Sequence, residues 1–294
     1  MLPALRQVDP SCAASPVDRL TERQFAQIAR LVTDHTGIKL PPSKRLMVEG
    51  RLRRRARVLG YSDLSGYCAY LFGSDGLREE FSYLVDAVTT NKTDFFREVE
   101  HFSCLEKEIV PKLLSLRRPG ERPTIKLWSA ASSSGAEAYT MAMVMADLAE
   151  RTRGVSFEIL GTDISTEVLD QARLGIYPKE MIAPVPPAMR ERYVMLGSSS
   201  ARQREVRIVP ELRSKVRFVH LNLMDERYPF DCDMDVIFVR NVLIYFDKPT
   251  QDAVAGRLAS HLRPGGFLIF GHSESVIGSG LQLRQFAPAI FQRL

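Results

Sequence analysis

Residues 127–140, LWSAASSSGAEAYT, join a strand-like run to a helix through a loop of small residues. A buried strand that turns directly into a helix is typical of a layered α/β structure, with the loop at the carboxyl end of the strand. Small side chains let the backbone approach a ligand, and the start of the helix offers unpaired N–H groups. The stretch therefore indicates a ligand site, although a plain tight turn between a strand and a helix explains it equally well.

Strands and helices alternate after about residue 90. Strand candidates are Thr124–Ser129, Phe157–Gly161, Val216–His220, Met234–Val239 and Phe267–Phe270, with helices at Gly135–Arg151, Thr166–Leu174 and Pro249–Leu262. This alternation predicts a parallel sheet covered by helices on both faces. The final stretch, LQLRQFAPAIFQRL, reads as two strands with a turn at Ala287 and Pro288. It predicts a closing antiparallel hairpin.

Residues 176–215 interrupt this alternation. They are charged, contain prolines and include the strand-like REVRIVPEL. They fall where the crossover from the second to the third strand belongs, so we expect an inserted subdomain, with an unstructured linker as the alternative.

The N-terminal third has a different pattern. Residues 18–80 show apolar positions at helical spacing, with Asp18 or Thr21 as the candidate N-cap of the first helix. We expect a helical domain over 18–80, a linker over 81–90 and a ligand-binding domain over 91–294. Residues 1–17 lack the basic start and apolar core of a signal peptide, and we expect a disordered tail there.

Composition limits the class of protein. The chain of 294 residues is 45% hydrophobic and 26% charged, which is typical of a globular protein. It has no apolar run of about 18 residues, so we expect no membrane span. The four cysteines are scattered and form no CxxC pair, so we expect neither disulfides nor a metal site, and a cytoplasmic location.

A basic stretch indicates an acidic partner. Residues 43–59, SKRLMVEGRLRRRARVL, hold seven lysines and arginines against the single Glu49. Such a concentration of charge attracts an acidic surface, which could be nucleic acid or an acidic protein helix.

The loop and the second strand favour a cofactor without phosphates. A dinucleotide site needs three spaced glycines, and only Gly135 is present here. Asp163 follows the second strand, where an acid accepts hydrogen bonds from ribose hydroxyls in NAD and S-adenosylmethionine enzymes alike. The alternative for Asp163 is a helix N-cap.

Two further stretches carry polar residues in places that suggest chemistry. The fourth strand ends in VIFVRNVLIYF, so Arg240 and Asn241 mark its carboxyl edge, and Tyr245 either reaches the same cleft or packs in the core. In TTNKTDFFREVEHF we expect Thr93 to cap a helix and Arg97 to lie on its first turn. A cation there opposes the helix dipole, a cost that function can justify, unless Arg97 is simply a solvated surface residue.

Six motifs together resemble the CheR family of chemotaxis receptor glutamate methyltransferases. They are NKTDFFRE..HF, WSAASSSGAEAYTMAM, TDISTEVLDQARLGIY, NLMD, RNVLIYFDK and GHSES, in family order across about residues 20–294. The resemblance implies a small all-α N-terminal domain and a Rossmann-like class I S-adenosylmethionine-dependent methyltransferase domain with an inserted antiparallel β-subdomain.

The resemblance also implies roles for individual residues. Arg97 and Tyr245 would lie near the transferred methyl group, Glu137 would hold the methionine amino group, and Asp163 would bind the ribose. The implied cofactor-binding residues, including those of the loop, are Asn91, Thr93, Arg97, Ala130, Gly135, Glu137, Asp163, Asn222, Leu223, Asn241 and Val242. The family loop usually carries two adjacent acids followed by proline, and here alanines stand at Ala136 and Ala138.

The implied reaction is methyl transfer from S-adenosylmethionine to receptor glutamates, with S-adenosylhomocysteine as product. The acidic helical bundle of a chemoreceptor would dock on Arg53, Arg54 and Arg57, and a receptor C-terminal pentapeptide could dock on the β-subdomain. We expect a monomer that does not insert into membranes or bind nucleic acid. Arg240-Asn241-Val242-Leu243 is not the Asn-Pro-Pro-aromatic sequence of base methyltransferases, and the missing glycines argue against the rival NAD-dependent oxidoreductase.

Overall fold

The computed structural model describes residues 18–73, 76–118, 123–152, 154–197, 204–274 and 281–294. The expected tail over residues 1–17 lies outside these ranges. The first helices are α1 (Glu22–Thr36), α2 (Arg45–Val58), α3 (Leu64–Leu71) and α4 (Gly76–Val88). Thr21, one of the two candidate N-caps, caps α1 in a reciprocal capping box with Gln24. Within the described residues, no helix is long and apolar enough to cross a membrane.

The four helices enclose their own core, formed by Ile28, Val32, Leu52, Leu64 and Tyr67 among others. Much of the basic charge on α2 serves this packing. Arg55 forms two hydrogen bonds of 2.8 and 2.7 Å to the buried Glu80. Arg51 donates to the carbonyl oxygens of Ala87 and Thr89 at 3.0 and 2.6 Å.

The linker predicted over residues 81–90 was wrong for most of its length, because α4 continues to Val88. Glu80, Leu84 and Val88 are all buried and recur every four residues, so the apolar face of the helix does not end at residue 80. Only Thr89 and Thr90 remain before the second domain.

The remaining elements follow in chain order. They are α5 (Val99–Cys104), a π-helical turn (Leu105–Ile109), α6 (Val110–Ser115), β1 (Thr124–Ala130), α7 (Ala136–Arg151), β2 (Ser156–Asp163), α8 (Thr166–Leu174), β3 (Ile176–Pro178), α9 (Pro187–Tyr193), β4 (Val194–Leu196), β5 (Glu205–Ile208), α10 (Pro210–Arg213), β6 (Val216–His220), β7 (Met234–Val239), α11 (Lys248–His261), β8 (Leu262–Phe270), β9 (Leu283–Ala287) and β10 (Ile290–Arg293).

The described strands form a seven-stranded sheet in the order β6-β2-β1-β7-β8-β10-β9. The first five in this order pair in parallel, and β10 pairs antiparallel with both β8 and β9. The predicted parallel sheet and closing hairpin are thus confirmed. β8 begins at Leu262 rather than Phe267, because Leu262 already pairs with Met234 before a register shift.

A separate three-stranded antiparallel sheet, in the order β3-β5-β4, confirms the predicted subdomain between α8 and β6. Tyr177 of β3 is fully buried, and its hydroxyl donates to the Ser134 carbonyl oxygen at 2.6 Å. The subdomain is therefore attached to the loop that follows β1.

The structure corrects the prediction for residues 93–97. Helix α5 begins at Val99 after Glu98, so Thr93 is not its N-cap and Arg97 precedes the helix. Phe96 and Glu98 have positive φ of 53° and 55°, which turns the chain before the helix starts. Phe96 N–H donates to Thr140 Oγ1 at 3.2 Å, which fixes this turn against α7. The expected conflict between Arg97 and the helix dipole does not arise.

Candidate active site

A cleft lies at the carboxyl ends of β1, β2 and β7, where the strand order reverses. Ten predicted site residues line it: Asn91, Thr93, Arg97, Glu137, Asp163, Asn222, Leu223, Asn241, Val242 and Tyr245. Ala130 and Gly135 are not in its wall, and Ala131 and Ser133 of the same loop take that position. The part that Ala130 and Gly135 play in cofactor binding stays a prediction.

The loop after β1 is a tight turn held in a conformation that non-glycine residues rarely adopt. Ala131 and Ser133 have φ of 59° and 50°, in the left-handed region. Ser133 N–H donates to Asp163 Oδ2 at 2.8 Å, and Ser133 Oγ donates to the Asn91 carbonyl oxygen at 2.9 Å. These contacts hold the strained backbone against the two neighbouring segments of the site.

Gly135 serves packing. A Cβ at this position would come within 2.9 Å of both Ala172 and Phe218, and its φ is +87°. Only glycine allows α7 to start this close to α8 and β6.

Asp163 organises the ends of β1 and β2. Its carboxylate accepts from Ser133 N–H and, at 2.9 Å, from Ser165 N–H. The N-cap of α8 is Ser165, so the alternative that Asp163 is that cap was wrong. Burial raises the pKa of Asp163, and these backbone donors oppose the rise.

Arg240 is the centre of the charge network in the cleft. Its side chain is 2% exposed and pairs with Glu137 and Glu98, each at 3.0 Å. It also donates to the carbonyl oxygen of Arg97. Ser129 Oγ donates to the other oxygen of Glu137 at 2.7 Å. One guanidinium thus fixes the acid of α7, the turn before α5 and the backbone of Arg97.

The two carboxylates respond differently to this cation. Burial raises the pKa of Glu137, and Arg240 opposes that rise. Burial also pushes the pKa of Glu98 upward, but Arg240 and the Asn241 amide outweigh it, so the pKa of Glu98 is lowered. Glu98 is the more accessible of the two, so it loses less solvation than Glu137.

Glu274 shapes the segment after β7. Its Oε1 accepts from the N–H groups of Val242 and Leu243, both at 2.8 Å, and its Oε2 accepts from Gly271 N–H at 2.7 Å. Asn241, with φ of 60°, thereby faces the cleft. Arg240, Glu98 and Glu274 were absent from the predicted site, although each lies inside one of the quoted motifs.

Arg97 and Tyr245 are half-buried, and both line the cleft. Arg97 makes a long hydrogen bond of 3.4 Å to the Lys92 carbonyl oxygen. The Lys44 ammonium lies 5.0 Å from the centre of the Tyr245 ring. Tyr245 is therefore a cleft residue rather than the core aromatic of the alternative, and its neighbour Phe246 is the buried one.

Beneath the network, Glu98, His101 and His272 each place a potential metal ligand within 4.8 Å of the others. Glu98 already pairs with Arg240, so a metal ion there would have to compete with a buried guanidinium. His101 is 2% exposed, and burial together with Arg240 lowers its pKa to about 4.

The reversed strand order, the acid at the end of β2 and the acid at the start of α7 define a class I S-adenosylmethionine-dependent methyltransferase. The family model "CheR methyltransferase, SAM binding domain" matches residues 91–288, and "CheR methyltransferase, all-alpha domain" matches residues 23–89. The chain belongs to the CheR methyltransferase family.

Two relatives illustrate the similarity. The chemotaxis protein methyltransferase of Borreliella burgdorferi is 37% identical over 277 residues, which is 93% of this chain and 95% of the relative. That of Klebsiella aerogenes is 39% identical over 256 residues, which is 87% of this chain and 84% of the relative.

S-adenosylmethionine is the cofactor, and the chemistry of the cleft fits it. The carboxylates of Glu137 and Asp163 can accept hydrogen bonds from an ammonium group and from ribose hydroxyls. Leu223, Ile38 and Val242 offer apolar surface for an adenine ring. The residues of the wall carry no phosphate-binding glycine loop, in agreement with a cofactor that has no phosphate.

Proposed function

We propose that this protein transfers the methyl group of S-adenosylmethionine to glutamate side-chain carboxylates of chemoreceptors, giving methyl esters. Its similarity to chemotaxis protein methyltransferases supports the substrate class. The observation that carries the proposal is the position of Arg97 and Tyr245, which line one cleft with Glu137 and Asp163.

The reaction requires little of the protein except that it position the substrate carboxylate and the methyl group. The bound cofactor supplies an electrophilic methyl group on a sulfonium. A substrate glutamate, with a reference pKa of about 4.3, is already ionised at neutral pH and attacks without a general base. Holding the carboxylate in line with the methyl group can contribute about 7–11 kcal/mol.

Arg97 and Tyr245 orient the substrate carboxylate in this scheme. Attack joins the carboxylate oxygen to the methyl carbon and leaves the electron pair on sulfur, so both charges vanish. A guanidinium that gripped the carboxylate too tightly would lower its nucleophilicity, so we assign orientation rather than activation to Arg97. Arg240 donates to the carbonyl oxygen of Arg97. It therefore fixes the backbone from which the Arg97 side chain extends.

The test is transfer of labelled methyl groups to purified receptor cytoplasmic domains. We expect base-labile label on the receptor, because carboxylate esters hydrolyse in alkali. Arg97→Ala should lose most of the transfer. Label confined to DNA or small molecules would refute the proposal, and binding of NADH in calorimetry would favour an oxidoreductase instead.

We also propose that the receptor bundle docks on the exposed face of α2, through Arg54 and Arg57. Both side chains are exposed, whereas Arg53 is half-buried and its guanidinium pairs with Asp18 at 3.4 Å. Arg53 contributes less than the sequence suggested. α2 starts directly after Lys44, which lines the cleft, so a receptor helix along α2 would lead to the site of methyl transfer.

Reversing both charges, as Arg54→Glu with Arg57→Glu, should raise the KM for receptor and leave affinity for S-adenosylhomocysteine unchanged. Steering by surface charge weakens with salt, so the difference from wild type should shrink at high ionic strength. The matched control reverses Lys215 and Arg217, two exposed residues at the amino end of β6, opposite the cleft. Equal receptor kinetics for the two double variants would contradict docking on α2.

The β-subdomain suits a receptor C-terminal pentapeptide. β4 is an edge strand of its sheet, and Met195 and Leu196 on it are 47% and 72% exposed. An extended peptide could add a strand there. Residues 196–205, a loop of the subdomain that is long enough to hold such a peptide, lie largely outside the described residues. Calorimetry with the pentapeptide should show binding that Leu196→Asp weakens, and equal affinity in that variant would contradict this docking site. We further propose that the protein is a cytoplasmic monomer. Light scattering of the purified chain would test the monomeric state.

A further inference from the structure

Three potential metal ligands meet beneath the charge network of the cleft. Glu98 and His101 lie at the start of α5, and His272 lies in the segment that follows β8. Each offers one ligand atom, and these atoms all lie within 4.8 Å of one another. The scattered cysteines indicated no metal site, but this group contains no cysteine.

His101 is buried without a hydrogen-bond partner. Its side chain is 2% exposed, and neither ring nitrogen forms a hydrogen bond within the described part of the chain. A buried polar side chain ordinarily has at least one partner. The Nδ1 atom lies 3.4 Å from Glu98 Oε2. Two ligands of a tetrahedral zinc ion stand about 3.3 Å apart, because each lies about 2.0–2.1 Å from the metal. The spacing of these two atoms therefore suits a shared metal ion.

The same carboxylate holds the third ligand in place. His272 N–H donates to Glu98 Oε2 at 3.3 Å, and the centroids of the His272 and His101 rings are 4.7 Å apart. Glu274 accepts from Gly271 N–H at 2.7 Å and so fixes the residue before His272. The His272 side chain is exposed, which leaves the group open to an ion from solvent.

The ligand types favour a transition metal. Imidazole nitrogens suit zinc and related ions, whereas magnesium and calcium take oxygen ligands. Metal ligands must also be deprotonated. Burial, together with Arg240, lowers the pKa of His101 to about 4, and the pKa of Glu98 is lowered as well. Both groups are therefore in the ligand form at neutral pH.

We propose that Glu98, His101 and His272 bind a divalent transition-metal ion such as zinc, and that the metal competes with Arg240 for Glu98. Arg240 pairs with Glu98 Oε2 at 3.0 Å, and this is the same oxygen that faces His101. The oxygen therefore serves either the guanidinium or the metal. Three protein ligands leave a fourth position for water.

Arg240 is not left unpaired when Glu98 turns to the metal. It keeps its pair with Glu137 at 3.0 Å and its bond to the Arg97 carbonyl oxygen, so its charge stays compensated. The network that holds the Arg97 backbone nevertheless loses one of its two carboxylates. We therefore expect the metal to slow methyl transfer, a consequence that rests on the proposed role of Arg97.

Titration of the purified chain, free of any histidine tag, with ZnCl₂ against a chromophoric chelator tests the site. Wild type should bind zinc and should not bind Mg²⁺ at the same concentrations. His272→Ala removes an exposed ligand and should bind zinc at least about 10-fold more weakly. His35→Ala removes an exposed histidine of α1 and should bind zinc as wild type does. Equal zinc affinities in the two variants would overturn the proposal.

A second pair of potential ligands provides a test of location. The exposed Cys232 has its Sγ 3.7 Å from His261 Nδ1. Cys232→Ser should leave the zinc affinity unchanged. X-ray absorption of zinc-loaded wild type depends on no variant, and it should show nitrogen and oxygen ligands at about 2.0–2.2 Å. A sulfur ligand at about 2.3 Å would place the ion at Cys232 and overturn the proposal.

Arg240→Lys tests the competition. Lysine lacks the planar donors of the guanidinium and holds Glu98 less firmly, so zinc should bind this variant more tightly than wild type. Circular dichroism confirms that the variant is folded. Unchanged or weaker zinc affinity would refute competition with Arg240.

The zinc titrations involve no receptor, so they succeed or fail independently of the proposed substrate. With a receptor domain present, zinc should slow methyl transfer by wild type, and a chelator should restore the rate. His272→Ala should be less sensitive to zinc than wild type. Equal slowing of the two proteins would refute an effect of this site on methyl transfer.

Discussion

Replacing Arg240 by methionine tests the charge network directly. The side chain is 2% exposed and serves two carboxylates, Glu98 and Glu137, which are 16% and 13% exposed. Methionine fills the same space without the charge, so the variant leaves two acids enclosed with no cation between them. Both acids would then lose the interaction that opposes the effect of burial on their pKa.

The size of the effect follows from this geometry. Removing one partner of a buried ion pair costs about 3–5 kcal/mol, because the other charge is left uncompensated. Since one cation serves two acids here, we expect the upper end of this range, a large part of the roughly 5–15 kcal/mol that stabilises a typical domain. Arg240→Lys keeps the charge, but an ammonium lacks the planar set of donors with which the guanidinium reaches both carboxylates. We therefore expect an intermediate loss of unfolding free energy.

Urea unfolding monitored by tryptophan fluorescence is the appropriate assay. Trp128 is the only tryptophan of the chain, and its side chain is 0% exposed on β1. The signal therefore reports the sheet domain that contains Arg240, without the helical domain. The control Arg54→Met changes an exposed arginine, and its unfolding free energy should stay within about 0.5 kcal/mol of wild type.

The pH dependence of the unfolding free energy can refute the role assigned to Arg240. Without Arg240 the folded-state pKa of Glu98 is no longer held down by that cation and the pKa of Glu137 rises further, and the destabilisation is fully present above both pKa values. As the pH falls through them, both acids take up protons and the difference from wild type narrows. A loss below about 1 kcal/mol, or a difference that is the same at pH 5 and pH 8, would show that Arg240 does not stabilise these carboxylates.

Two further predictions concern the acid after β2 and the buried histidine. Asp163→Asn turns an amide NH₂ toward the Ser133 or Ser165 N–H, so we expect S-adenosylhomocysteine to bind about 10–100-fold more weakly, equivalent to about 1–3 kcal/mol. Calorimetry with the exposed Asp170→Asn as control checks this, and equal affinities would contradict it. The pKa of His101 is lowered to about 4, so its stabilising contribution is present above the unfolded pKa of about 6.5 and is lost as the pH falls toward 4. Thermal melts of His101→Leu should therefore lose less stability than wild type between pH 7 and pH 5, and parallel curves would count against this contribution.

The residues that sequence reasoning placed in the cleft share a local signal. Asp163 and Asn241 each follow a buried strand, and the carboxyl ends of parallel strands meet at one edge of a sheet. Burial and alternation are visible in a few neighbouring residues, so the sheet, the hairpin and the inserted subdomain could be predicted as well.

No local sequence pattern indicated the charge network around Arg240. Its bonds reach Glu137 and the Arg97 carbonyl oxygen, 103 and 143 residues away in the chain. The motifs contained Arg240 and Glu98, but a sequence does not reveal that one guanidinium joins them. Gly37 is the left-handed C-cap of α1, a position that favours glycine in any helix, but only the fold shows that a Cβ there would lie 2.7 Å from Met224 Sδ.

The prediction that a helix begins at residues 93–97 was wrong for another reason. Thr93 has the chemistry of an N-cap, but tertiary contacts of Phe95 and Phe96 decide where the helix begins. Phe95 is fully buried, and Phe96 N–H is bonded to α7. Anchoring both residues delays the helix to Val99, which leaves Arg97 on a turn with its side chain at the cleft.

Ala136 and Ala138, which stand where the family usually has an acid and a proline, do not line the cleft. The side chains of Ala136 and Ala138 are both 0% exposed and absent from the cleft wall, so neither position presents a group to the cofactor. An acid enclosed at Ala136 would need its own partner, since an unpaired buried charge is costly. Proline at the third helical position would only remove an N–H that has no partner within the helix, and alanine keeps that donor free at the positive end of α7. The acid of this stretch that lines the cleft is Glu137, and Arg240 and Ser129 hold it in place.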